Sequence, residues 1–501
     1  MTQFSSSRWS AVFFCAGILM GVGVRDAQGQ DTRLVEAVKS QDRATVDALL
    51  SQQVDVNGAQ PDGATALHWA SYHDDLDLVE LLLDGGAKID AVNDYGITPL
   101  SLACENGAAT MVSRLIAGGA SPDITRSTGE TPLMTCARTG SVEAVTALLV
   151  QGADPDATES WHGQTALMWA AAEAHTGVVR ALIDHGAEIS ARSNSGYTAI
   201  LIAARENTPK LVHLLLEAGV DVNEASPDGM TPLLVATIRG HAELVLDLLE
   251  RGADPNAGGL GYTALHWVSG AWHTELTGNV LGIDVGREKE WRSLNEFSAD
   301  RKIDAVEALL QHGADVNVRL ERGPPQYGYA SGRFRVGIVG ATPFWLAAMD
   351  GNVELMRVLS EAGADATLGT DEGTSPLMVA AGLGQVPAET RVAPEESLAA
   401  VEFVLSLGAN VNRSNAVGRT ALHGAAHIRS EPIVQVLVDH GAAVNAADQR
   451  GITPLMIAEG GGHILLPGLG GGPTADLLRS LGSNETRPED FVDRYREGPI
   501  R

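Results

Sequence analysis

The chain has 501 residues, a length that implies two to four globular domains or one elongated repeat array. An apolar fraction of 44% is enough to build a core, which excludes wholesale disorder. Lys and Arg number 35 against 63 Asp and Glu, a formal net charge of −28, so the body of the protein repels phosphate backbones and nucleic acid is excluded as its partner.

The chain opens "MTQFSSSRWSAVFFCAGILMGVGVRDAQGQ". Arg8 gives a weakly positive start, the 16 residues from Trp9 to Val24 are apolar, and Ala27 and Gly29 stand at the −3 and −1 spacing of a signal-peptidase site. A membrane span needs about 20 residues. Residues 1–29 are therefore expected to be a secretory signal, with an uncleaved N-terminal anchor as the alternative. Either places the rest outside the cytoplasm, periplasmic or secreted. No membrane span is expected after cleavage. Phe13 and Phe14 are too bulky for a lipid-modified terminus at Cys15.

From residue 65 the chain repeats. Thr65-Ala-Leu-His-Trp-Ala, Thr98-Pro-Leu-Ser-Leu-Ala and Thr131-Pro-Leu-Met-Thr-Cys recur as starts at Thr165, Thr198, Thr231, Thr263, Thr342, Ser375, Thr420 and Thr453. The intervals are 33, 33, 34, 33, 33, 32, 79, 33, 45 and 33. Two residues before each start stands a glycine, from Gly63 to Gly451, which suits a turn with positive φ. The Thr hydroxyl can cap a helix, and Pro is tolerated in the first turn. That helix is expected to stop near Gly107, Gly140, Gly240 and Gly351. A second helix follows, with Val142, Val145, Leu148 and Leu149 at helical spacing, and ends at "QGAD" or "HGAD".

This pattern resembles the ankyrin repeat, a turn and two antiparallel helices, over about residues 31–482. The segment 31–60 lacks the Thr start but keeps a helix pair, "LVEAVKSQDRATVDALL", and looks like an N-terminal cap. The fold class expected is all-α, an ankyrin solenoid of about twelve helix-turn-helix units, spanning 30–482 with a charged tail at 483–501. The resemblance also implies dull roles for tempting residues. His68, His266 and His423 take the fourth helix position, where the family carries a structural histidine. His185, His312 and His440 belong to the "HGA" turn, and His175, His241 and His273 stand ten residues after their Thr. His423 and His427 have the i,i+4 spacing of a metal pair but no third ligand nearby, so no metal is expected. Trp69, Trp169 and Trp267 share the fifth position and are expected in the core rather than as an exposed ladder. Cys104 and Cys136 lie in neighbouring repeats. The resemblance implies stacked repeats on the order of 10 Å apart, whereas a disulfide needs Cα atoms within about 7 Å, so two buried free thiols are expected.

Four insertions break the period, near 272–301, 319–339, 384–396 and 461–472, in repeats eight, nine, ten and twelve. Those in eight, ten and twelve fall between the two helices. The one in nine falls in the turn, on the opposite edge beside the concave face. It reads "ERGPPQYGYASGRFRVGIVGATPF" from Glu321. Between Arg319 and Val339 four arginines face one glutamate, in an otherwise acidic chain with only 5% aromatics. Arginine and rigid aromatics are the types in which binding energy concentrates. Arg322, Tyr327, Tyr329, Arg333, Phe334 and Arg335 are therefore the candidate partner-binding residues, projecting to grip a carboxylate or acidic segment. The competing reading is a lid whose arginines pair with acidic neighbouring repeats. Trp345, in the histidine place of its repeat, is expected to line the concave wall beside them. "GREKEWRSLNEF" in repeat eight reads as an added amphipathic helix or a docking segment. "PGLGGGPTADLL" from Pro467 lacks the ending of a phosphate-binding loop and reads as a loosened loop.

No catalytic motif and no cofactor site stand out, so the function expected is a monomeric, non-catalytic scaffold that binds another protein. The alternative is an enzyme or small-ligand receptor with a pocket between the insertions of repeats eight to ten, lined by Trp272, His273 and Arg335.

Overall fold

The computed structural model of the chain describes residues 31–259, 261–270, 299–322, 336–385, 392–460 and 472–484. Among these, 24 helices occur and no strand beyond the isolated bridge of Ala59 with Thr65. The helices fall into twelve pairs, from Arg33–Lys39 with Arg43–Ser51 to Pro454–Ala458 with Pro473–Ser480. The chain forms two compact units, Met1–Asn194 with the first five pairs and Ser195–Arg501 with the other seven. Within each unit, first helices stack on first helices and second on second, the arrangement of a helical solenoid.

Local chemistry sets each pair. The Thr98 hydroxyl accepts from Ser101 N and that of Thr131 from Met134 N, with Pro99 and Pro132 in the first turn. All eleven glycines two residues before a start have positive φ, between +63° and +87°. At Gly96 there is a second reason, absent from the sequence pattern. A Cβ there would lie 2.8 Å from Cα of Arg126, because neighbouring turns nearly touch. Gly107, Gly140, Gly240 and Gly351 also take positive φ where the first helices stop. Burial of Val145, Leu148 and Leu149 fixes the inward stripe of the helix Val142–Val150.

Cys104 and Cys136 are fully buried, as expected, but they form a disulfide with Cα atoms 4.5 Å apart. The expectation of free thiols confused the distance between helix axes with that between facing atoms. Each Cα lies about 2.3 Å off its own axis, so axes about 9 Å apart bring facing Cα atoms to about 4–5 Å. Ala103 and Ala137, both fully buried beside them, allow that approach.

The fourth-position histidines tie one repeat to the next. Thr65 N donates to His68 Nδ1, leaving Nε2–H to donate to the carbonyl of Ile97, 3.0 Å away. His266 and His423 repeat this with the carbonyls of Val318 and Ile452. Burial pushes both imidazoles down to about 4 and that of His68 down as well. His185, His312 and His440 each bond through Nδ1 to the carbonyl four residues back, closing their second helices. His175 and His241 reach back to the carbonyls of Arg138 and Arg205. Trp69 and Trp267 are buried, whereas Trp169 is half-buried with the Arg138 guanidinium 5.6 Å over its ring.

Candidate functional site

The turn insertion of repeat nine leaves the described chain after Arg322 and rejoins it at Val336. Tyr327, Tyr329, Arg333, Phe334 and Arg335 lie outside the described residues, as do Trp272, His273, the "GREKEWRSLNEF" segment, the run from Pro467 to Gly471 and the tail from residue 485.

The base of the insertion is a closed neck. Leu320 N donates to Ala341 O at 2.8 Å and Gly340 N to Leu320 O at 2.6 Å, around the fully buried Leu320 side chain. Glu321 N and Arg322 N both donate to Gly261 O of repeat eight. On the far side, Asp371 N of repeat ten donates to Val339 O, and Gly337 N donates to the Glu372 carboxylate at 3.0 Å. Arg319 pairs with Asp371 at 2.7 Å and donates to Gly369 O. This arginine does what the lid reading expected of it, holding the neck to an acidic neighbour. Arg322 stands exposed at the exit of the neck. Beside the neck, burial pushes the Tyr262 phenol up to about 12, so it stays protonated.

Trp345 is not on a wall. It is 0% exposed, and its Nε1–H donates to the carbonyl of Thr374 at 2.9 Å. The indole makes the tie to the next repeat that histidine makes elsewhere. The residue was legible as a replacement, but what it replaces is a buried structural group, which removes it from the binding surface.

The neck lies among the turns, and from it the chain at Val336 reaches the place where the insertion of repeat ten begins. A Cβ on Gly384 would lie 2.7 Å from Cγ2 of Val336. The cause is the short first helix of repeat ten, Pro376–Ala380, after which Gly382 and Gly384 take φ of +98° and +94° and turn the chain early. The next residue, Gln385, is 8% exposed. Its main-chain oxygen accepts from His427 Nε2, and its side-chain nitrogen is buried with no hydrogen-bond partner among the described residues. His423 and His427 thus spend their Nε2 atoms on carbonyls of different repeats rather than on a shared ion.

The family model for ankyrin repeats (3 copies) matches residues 18–93, 34–126, 100–193, 188–259 and 391–466, more than half of the chain. The protein therefore belongs to the ankyrin repeat family. It is similar to the ankyrin repeat protein L271 of Acanthamoeba polyphaga mimivirus, 33% identical over 92 residues, 18% of this chain and 12% of that protein. It also resembles the ankyrin repeat protein YahD of Escherichia coli K12, 26% identical over 186 residues, 36% of this chain and 78% of that protein. A third relative is the mitochondrial disaggregase of Bos taurus, 28% identical over 209 residues, 42% of this chain and 25% of that protein. The aligned part is thus a small fraction of the mimivirus and bovine proteins. Membership of this family points to a protein that binds other proteins. Among the described residues no helix is long and apolar enough to cross a membrane.

Proposed function

We propose that the protein is an exported, non-catalytic scaffold that holds another protein through its turn loops, first-helix faces and the Arg/Tyr insertion of repeat nine. The observation that carries this reading is the closed neck. Hydrogen bonds to repeats eight and ten hold both ends of the insertion, Arg319–Arg322 and Gly337–Ala341, and the sequence between them is rich in Arg and aromatic residues. Arg319 is committed to Asp371, which leaves Arg322, Arg333 and Arg335 as the cations for an acidic or carboxylate-bearing segment of the partner. Export is supported by the opening signal pattern and by the buried Cys104–Cys136 disulfide, a bond that persists in oxidising compartments.

A pull-down from the exported fraction tests this, comparing the intact protein with a variant in which residues 323–335 are replaced by a Gly-Ser linker of equal length. The neck survives in that variant. Loss of one specific partner, with unchanged thermal stability, is the expected result. An unchanged partner set would make the insertion a lid.

The approach of Val336 to Gly384, beside a buried Gln385 side-chain nitrogen with no partner among the described residues, favours a second reading, a small-ligand receptor between the insertions of repeats eight to ten. Under it, Gln385→Leu would abolish binding of a small molecule carrying a hydrogen-bond acceptor while leaving any protein partner in place.

A further inference from the structure

Two aromatic side chains of the first unit stand more than half exposed among its described residues. Trp161 is 72% exposed and Tyr95 55% exposed, and both sit at the tips of turns between repeats. We infer that this tip row is a second docking surface, separate from the repeat-nine insertion, and that it takes a Lys/Arg-bearing segment of a partner protein. The inference rests on reading the chain as a partner-binding scaffold and deepens it, naming one stretch of the turn loops and a partner charge opposite to the one the insertion would take.

The backbone under both aromatics is fixed by hydrogen bonds of the local chain. Tyr95 N donates to Oδ1 of Asn93, which is buried. At Trp161 the turn is one residue longer than its neighbours, the origin of the single 34-residue interval. That residue is accommodated by Glu159, whose carboxylate is 7% exposed and accepts from the backbone N–H groups of Trp161, His162 and Gln164 at 2.7–3.1 Å. Burial alone would raise the pKa of Glu159, but these donors outweigh it and hold the carboxyl below its ordinary value, so it stays ionised. Successive tips are also bonded along the row. Asp94 N donates to Asp62 O, Ser127 N to Tyr95 O, and Ser160 N to Thr128 O. Asn194 donates from N to His162 O and from Nδ2 to Trp161 O. A rigid aromatic on a fixed backbone binds with little loss of conformational freedom.

Charge selects the occupant. The four tips spanning 60–64, 93–97, 126–130 and 159–164 carry Asp62, Asp94, Glu130 and Glu159 against Arg126 alone. Arg126 pairs with Glu105 at 3.2 Å and Glu130 at 3.8 Å and Glu159 is spent on its own turn, which leaves Asp62 and Asp94 beside the general negative charge of the unit. The unit around them, residues 31–194, has 23 acidic side chains and 9 Lys and Arg. An anionic partner would be repelled, whereas the faces of Trp and Tyr attract guanidinium and ammonium groups. The same unit already shows this pairing internally, with Lys39 Nζ 4.9 Å from the Trp69 ring centre.

The test titrates the full exported protein with a deca-arginine peptide by calorimetry, with deca-glutamate as the opposite-charge control. Trp161→Ala is expected to weaken deca-arginine binding roughly fivefold to tenfold, and Tyr95→Ala less. Val150→Ala, which removes an exposed apolar side chain from a second helix of the same unit, should change nothing. Circular dichroism of each variant should match the parent. Deca-arginine binding that is absent, or equal in Trp161→Ala and the parent, overturns the inference, the latter showing only attraction to the net charge. Neither result touches the repeat-nine insertion, whose replacement is read by a different partner set.

Discussion

Ala174 holds a φ of +60° at the place where Gly107, Gly140 and Gly240 stand in other repeats. In that left-handed region a Cβ crowds the backbone, and Asp74, Asn207 and Arg429 accept the same crowding. Relief of strain exceeds the added chain entropy of glycine, so Ala174→Gly is expected to stabilise its repeat by about 0.5–1 kcal/mol. The opposite change, Gly96→Ala, combines positive φ with a backbone atom of Arg126 2.8 Å away and should cost about 2 kcal/mol or more. Amide exchange in the flanking helices checks both. Slower exchange in Gly96→Ala would mean that the turns are not in contact. The need for glycine was legible in the sequence, because positive φ is a local property. Its second cause was not, because the neighbouring turn is 30 residues away in the chain.

Between helices, the sequence was a poorer guide. The cysteines stood at adjacent positions of neighbouring repeats, and only the actual approach of two alanine-lined helices decides whether they bond. The bridge closes a span of 32 residues between the first helices Pro99–Glu105 and Pro132–Thr139. Loop-closure entropy puts its contribution at roughly 3–4 kcal/mol. Cys136→Ala should therefore lower amide protection in those two helices far more than elsewhere. A thiol titration of unfolded, unreduced protein should find neither Cys104 nor Cys136 free, and finding both free would remove the bridge and its support for export. A second set of inter-repeat staples lies in the loops that follow the second helices. Asn57, Asn223, Asn256, Asn317, Asn412 and Asn445 each donate to a glycine carbonyl and accept an N–H in the next loop. Asn recurring at the repeat period was the available signal, since it alone of Asn and Asp can both donate and accept through its side chain.

Across the molecule, the 63 carboxylates and the buried histidines respond to acid over different ranges. His266 and His423 must be neutral, because Nδ1 accepts an N–H while Nε2 donates. Their folded values near 4 lie below the ordinary 6.5 of the unfolded chain. Their stabilisation is thus complete above about pH 6.5 and is lost as pH falls towards 4, at most roughly 3 kcal/mol for each. Between pH 6.5 and 5 few exposed carboxylates protonate, so this loss should appear there undisguised as a falling melting temperature. His266→Gln or His423→Gln should flatten that part of the profile, and an unchanged slope in both would mean that the rings already carry charge in the folded protein. What the sequence made legible at this scale was the repeat, its start, its caps and its interruptions, all of which obey a period. The interruptions themselves obey none, and their feet could be placed only by the helices on either side.

One replacement changes how such an array would come apart. A proton on Nδ1 of His266 or His423 would displace the N–H of Thr263 or Thr420 and place a charge in a buried seam, but an indole has no basic nitrogen to protonate. The bond from Trp345 to Thr374 is therefore indifferent to acid, and it joins repeats nine and ten, whose side chains and backbone hold the neck of the insertion. In an acidified compartment the stack would loosen at its histidine seams on either side. Repeats nine and ten would remain clasped and keep the neck's bonds to Asp371 and Glu372, whereas its bonds to Gly261 of repeat eight lie across the His266 seam.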